Sequence, residues 1–135
     1  MIDHKKSEQT NSVQIVIVED SELIISCLKL QLPPYLNLIT FSNAEDALKY
    51  LLNNIACVEV VIIDHMLPGM TGMKLASIIK KDPGLKHLRI IVQSAYESKD
   101  LVKEYEVEPD FYLQKPYTGQ QIKSAVQQSL GSKAL

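Results

Sequence analysis

The chain has 135 residues, a formal net charge of −2, and apolar and charged fractions of 46% and 22%, which suits one globular domain with a self-sufficient core and leaves no length for a second. Arg89 is the only arginine, which argues against the bidentate guanidinium contacts of nucleic-acid readers. No apolar run approaches the ~20 residues that span a bilayer, and the polar start has no signal-peptide core, so the expected location is cytoplasmic, with neither membrane nor nucleic acid as partner.

Residues 1–12 and 132–135 read as tails around a single domain, 13–131. Gln14 to Val18 (QIVIV) is an apolar strand ending in two acids, Glu19 and Asp20. Ser21 starts an apolar-rich helix that runs through Leu32, where Pro33 and Pro34 stop it. A weaker strand spans Leu36 to Phe41. Ser42, with Glu45 three residues on, has capping-box spacing, and Ala44, Ala47, Leu48, Leu51 and Leu52 supply the stripe of the helix it opens.

Val60 to Ile63 is a continuous β-branched run that suits a strand buried on both faces, and it stops at a single carboxylate, Asp64. Pro68 and Gly69 break the pattern before a helix from about Met73 to Lys80, with Leu75, Ile78 and Ile79 toward the sheet. The basic stretch from Lys80 to Arg89 contains Pro83 and Gly84 and reads as a solvated loop. Arg89 to Gln93 is a fourth strand, ending at Ser94 and Ala95. A short helix from Lys99 to Glu106, a strand from Asp110 to Gln114 ending at Lys115-Pro116, and a helix from Gly119 to Leu130 complete the order. Cys27 and Cys57 lack metal or redox spacing and are expected as buried thiols in a reducing compartment.

Strand and helix thus alternate five times, which predicts an α/β fold with a five-stranded, doubly wound parallel sheet and helices on both faces. The carboxyl ends of parallel strands share one edge, the edge at which such sheets bind ligands. Glu19, Asp20, Asp64, Ser94 and Lys115 therefore converge on one rim. Three crowded carboxylates call for a compensating cation, and hard oxygen ligands suit Mg²⁺. With Lys115 as a cation and Ser94 as a hydroxyl donor, the rim holds what phosphoryl transfer needs: a carboxylate nucleophile, a metal, a positive charge and a donor for oxygen charge.

These residues, in this order, resemble a response-regulator receiver domain over 13–131. The acidic pair Glu19-Asp20, the Asp64 loop with Leu67-Pro68-Gly69-Met70 and Gly72, Ser94-Ala95 and Lys115-Pro116 carry the likeness. The resemblance implies a flavodoxin-like fold and a single-domain regulator of a two-component or phosphorelay system. Asp64 would take a phosphoryl group from a histidine kinase or a histidine phosphotransfer protein. Mg²⁺ would be held by Asp20, Asp64 and the Met66 backbone carbonyl, with Glu19 acting mainly through water. Ser94 and Lys115 would bind the phosphoryl group, Ser94 and Tyr112 would form the switch, and Met66 and Tyr96 would tune the phosphorylated lifetime. Such a protein is a switch more than an enzyme. It would signal through residues 99–106, 110–114 and 119–130 to a downstream protein or a second receiver. Thr71 stands where the family commonly has Asp or Asn, Ser94 where threonine is more frequent, and Val107 to Asp110 lacks the usual Gly-Ala.

Taken singly, Asp64 could be a helix cap, Glu19-Asp20 a solvated pair, Ser94 a turn residue and Tyr112 a half-buried strand aromatic. Agreement at four strand ends carries the functional reading. His65 points away from Asp64 by strand alternation, and Met66, Met70 and Met73 read as packing residues. The first glycine is Gly69, so no phosphate-cradling loop follows the first strand. A haloacid-dehalogenase-like phosphatase needs a second acid where Met66 stands. A receiver segment of a hybrid histidine kinase or longer regulator, and a pseudo-receiver binding module, are the other readings.

Overall fold

The computed structural model describes residues 13–131, so the two tails read from the sequence lie outside the described residues. In chain order the elements are β1 (Gln14–Val18), α1 (Glu22–Gln31), β2 (Asn37–Phe41), α2 (Ala44–Asn53), β3 (Val58–Asp64), α3 (Gly72–Lys81), β4 (Arg89–Ser94), α4 (Ser98–Tyr105), β5 (Phe111–Gln114) and α5 (Gly119–Leu130). The strands form one parallel sheet in the order β2-β1-β3-β4-β5. The expected five-stranded, doubly wound fold is therefore the fold observed.

Strand alternation sorts the core into two layers. Val16, Val18, Val61, Ile63, Ile90 and Val92 pack with Ala47 and Leu51 of α2, Met73 and Ile79 of α3 and Leu101 of α4. Ile15, Ile17, Val60, Ile62 and Ile91 pack with Leu28 of α1 and with Ile122, Val126 and Leu130 of α5. Burying each such aliphatic side chain contributes about 1.5–3 kcal/mol. The same parity, carried to the rim, assigns Glu19, Asp64, Gln93 and Lys115 to the α1/α5 side, and Ser94 and Tyr112 to the other.

Local chemistry explains most boundaries. Leu32, immediately before Pro33, is extended, as steric conflict with the proline ring requires, and α1 ends there. Ser21 caps α1, Thr71 caps α3, and Thr118 with Gln121 closes a capping box on α5.

Several sequence expectations need correction. Asn43, not Ser42, caps α2: its Oδ1 accepts from the Asp46 N–H at 2.8 Å, and its Nδ2 donates to Asp46 Oδ2 at 3.0 Å. A helix started at Ser42 would place Asn43 inside the first turn, where its amide competes with the backbone. Glu45 is thereby released to accept from the Met70 N–H at 3.1 Å, across the top of the sheet. Leu52 falls outside the α2 stripe and is exposed. Leu85 and Leu88 anchor the Lys80–Arg89 stretch in the core, so it is not simply a solvated loop.

Cys27 and Cys57 are both exposed. Apolar sequence neighbours suggested burial, but Cys27 lies at the open edge of the α1 stripe, on a surface groove that it lines with Ile24 and Leu28. Met73 is core as expected, whereas Met66 is 60% exposed and packs little.

Candidate functional site

The ladder continues one residue past three strands. Glu19 N–H donates to Phe41 O at 2.9 Å, His65 N–H to Gln93 O at 3.0 Å, and Lys115 N–H to Ser94 O at 2.7 Å. These bonds hold the rim residues in sheet geometry rather than in free loops. Asp64 ends the central strand, beside β1, where the strand order reverses and the crevice of a doubly wound sheet opens.

Side-chain oxygens of Glu19, Asp20 and Asp64 lie within 4.8 Å of one another. No other acid, histidine or cysteine cluster of that kind occurs among the described residues. Lys115 crosses from β5 and places its Nζ 2.6 Å from Asp64 Oδ1. Asp64 and Glu19 are buried, whereas Asp20 opens to solvent. Gly72 makes the close approach behind Asp64 possible: its N–H donates to His65 O at 2.9 Å, and a Cβ there would meet the Asp64 carbonyl oxygen at 2.2 Å.

Burial pushes the Glu19 carboxyl up to about 7, and the charge of Asp64 adds to the rise. The Ser21 N–H and Lys115 oppose it, while Asp20 raises it further. An acid that resists ionisation beside two others is a charge imbalance that a hard cation relieves, and three carboxylates are the ligands such an ion takes. The donor set thus fits a divalent cation, which Glu19, Asp20 and Asp64 could hold.

Ser94 is buried, and its Oγ accepts from the Tyr96 N–H at 3.0 Å, which folds the β4–α4 loop over it. Tyr112 donates its hydroxyl to the Tyr96 carbonyl at 2.6 Å. Burial raises the Tyr112 pKa, and the nearby Ser94 hydroxyl opposes the rise. Tyr96 and Met66, two residues past Ser94 and Asp64, stand exposed at the mouth.

His65 lies on the opposite side from Asp64, as alternation required. Its Nδ1 accepts from the Met73 N–H at 3.3 Å, and its ring meets Tyr105 and Tyr96 edge-on at 5.5 and 6.0 Å. Burial lowers its pKa, so it serves as a neutral packing and capping group. Sequence reasoning missed Gln93 and Tyr117. Gln93 donates to Glu19 and accepts from the Tyr117 hydroxyl. The available signal was a polar residue, Gln93, directly after the apolar run Ile90-Ile91-Val92.

A doubly wound parallel sheet with clustered acids, a lysine and a buried hydroxyl at the switch point defines the class of aspartate phospho-acceptor domains. The chain belongs to the response regulator receiver domain family, whose match covers residues 15–127. In that family phosphorylation and Mg²⁺ are general features, and its members act as switches with histidine kinases and downstream effectors.

The sensor histidine kinase CheAY of Helicobacter pylori is 28% identical over 95% of this chain but only 16% of its own length. The chemotaxis protein CheY of Pseudomonas aeruginosa is 29% identical over 51% of this chain and 56% of its own length. The matched stretch is thus about half of one of these relatives and a small part of the other. Among solved structures, the signal receiver domain of an HD domain-containing protein from Pseudomonas fluorescens superimposes with a TM-score of 0.77 at 25% identity, covering 93% of this chain and 91% of that one. No helix among the described residues is long and apolar enough to cross a membrane.

Proposed function

We propose that Asp64 accepts a phosphoryl group from a phosphohistidine of a histidine kinase or phosphotransfer protein, and that the chain changes partners as a result. The observation that carries the reading is the 2.6 Å contact between Lys115 Nζ and Asp64 Oδ1 within the acid cluster. Lys115 occupies Oδ1, which leaves Oδ2 to attack phosphorus. The new O–P bond forms as the donor's P–N bond breaks, and the ionised carboxylate needs no general base.

Glu19, Asp20 and Asp64 would hold Mg²⁺ with the Met66 carbonyl, the ion supplying charge neutralisation at the phosphoryl oxygens. Lys115 and the Ser94 hydroxyl would bind those oxygens on the other side. Recruiting Ser94 to the phosphoryl group would weaken its hold on the Tyr96 N–H, and Tyr112, tied to Tyr96, would move with it. The outlet is the face of α4, β5 and α5. A groove of about 380 Å³ between β5 and α5, lined by Phe111, Leu113, Gln121 and Ala125 among others, suits a protein target or a second receiver.

Mass spectrometry after treatment with acetyl phosphate and Mg²⁺ tests the reading. One added phosphoryl group is expected in the wild type and none in Asp64→Asn; equal labelling of both would overturn the assignment. The relatives include CheAY and PleD, in which the match spans 16% and 23% of the length, so the same switch also fits inside a longer regulator. The labelling outcome is the same in either setting.

A further inference from the structure

Glu19 is held by two groups to which the phosphoryl-transfer reading gives no role. Gln93 is fully buried in β4, pairs in register with Asp64, and lies on the α1/α5 side with Glu19. Its Nε2 donates to Glu19 Oε1 at 3.1 Å, while the Ser21 N–H donates to Glu19 Oε2 at 3.2 Å. Its Oε1 in turn accepts from the Tyr117 hydroxyl.

Where Glu19 is ionised, the direction of this chain is forced. An ionised carboxylate only accepts, so the Gln93 amide must turn its NH₂ toward Glu19 and its oxygen toward Tyr117, and the phenol must then donate. A phenylalanine at 117 would remove the donor on the amide oxygen and leave the amide held at its Glu19 end alone. Packing alone does not explain the choice of residue, because an apolar side chain would fill the site in β4 without the cost of burying an amide. Both Glu19 oxygens therefore have fixed donors, which sets the plane of the carboxylate relative to Asp20 and Asp64.

We propose that Gln93 and Tyr117 are positioning residues for cation binding, with Tyr117 orienting the Gln93 amide and the amide orienting the Glu19 carboxylate at the acid cluster. The inference rests on the phospho-acceptor reading of that site. Outer groups that orient a metal-binding carboxylate change metal affinity without touching the ion. Tyr117 also lines a groove of about 330 Å³ with Ile24, Cys27, Leu28 and Pro116, so the far end of the chain reaches the surface between α1 and the segment that joins β5 to α5.

The test is calorimetric titration of Mg²⁺ into wild type, Gln93→Met, Tyr117→Phe and the double variant. It is run at pH 8.5, above the Glu19 value of about 7, with initial phosphorylation rates from acetyl phosphate measured alongside. Gln93→Met is expected to raise the Mg²⁺ Kd about tenfold, and Tyr117→Phe about threefold. The double variant should be no weaker than Gln93→Met, because the phenol acts only through the amide. Phosphorylation at saturating Mg²⁺ should stay within about twofold of wild type in all, since the defect lies in metal affinity.

Kd values unchanged in both single variants, fully additive effects, or a rate loss that saturating Mg²⁺ does not restore would each overturn the proposal. Tyr117→Phe retains the ring and keeps the test decisive if Gln93→Met folds poorly. A wild type that neither binds Mg²⁺ nor takes a phosphoryl group would instead defeat the underlying reading.

Discussion

Replacing Glu19 by glutamine isolates the electrostatic tension of the acid cluster. In the native state the Glu19 carboxyl sits near 7 against an ordinary value of 4.5. The folded protein therefore holds a proton that the unfolded chain has released, and its metal-free stability falls as pH rises through that window. The full penalty at pH 8 is about 3 kcal/mol, and at pH 5 it is below about 1 kcal/mol. Glu19→Gln removes the charge but aims its amide NH₂ at one of two donors, Gln93 Nε2 or the Ser21 N–H, at a cost of about 1 kcal/mol.

The net expectation in a chelator is a gain of about 2 kcal/mol at pH 8, or about 6 °C in Tm for a domain of this size, shrinking to about zero at pH 5. Calorimetric or circular-dichroism melts of both proteins at the two pH values provide the assay. A difference in Tm that does not change with pH would refute the reasoning, whatever its sign. Adding Mg²⁺ should reverse the order at pH 8, because the wild type alone keeps the full acid cluster.

Asp110 binds Lys80 Nζ at 2.6 Å, the Ile90 N–H at 2.8 Å and Arg89 at 3.4 Å, and those partners outweigh burial to lower its pKa. Asp110→Ala should therefore lose about 2 kcal/mol near pH 7, and the difference should fade in acid as the wild type's Asp110 is protonated, first in the unfolded chain and then, at lower pH, in the fold. Urea melts across pH 3 to 7 check this, and a constant difference would contradict it. Tyr112→Ala should leave Asp64 phosphorylation nearly intact while weakening phosphorylation-dependent association; equal loss of both would show that the signal leaves elsewhere. Met66→Asn with Tyr96→Glu should shorten the phosphorylated lifetime, because amide and acid groups at those exposed positions can orient water toward the phosphoryl group. A decay no faster than wild type would remove both residues from that role.

The architecture was legible because its determinants are local. A β-branched run such as VVII commits a segment to a strand, proline stops α1, and five strand–helix alternations leave few topologies in which every apolar stripe is covered. Once the sheet is parallel, the rim follows, since residues that end strands must meet at one edge. That is why Glu19, Asp20, Asp64, Ser94 and Lys115 could be grouped before any distance was known.

The capping of α2 and the exposure of Cys27 and Cys57 were not legible, because neighbouring residues offer equivalent caps and helix faces until the tertiary contacts choose between them. The tie from Gln93 to Glu19 spans 74 residues, that from Glu45 to Met70 spans 25, and that from Lys80 to Asp110 spans 30. None leaves a periodic trace, since each depends on one donor meeting one acceptor across two elements. The sequence by itself determined the sheet, the faces of its helices and the edge where chemistry gathers, because propensity and hydrophobic period act within a few residues. Only the tertiary structure decided how the acids are oriented, because hydrogen-bond geometry is set where distant segments touch.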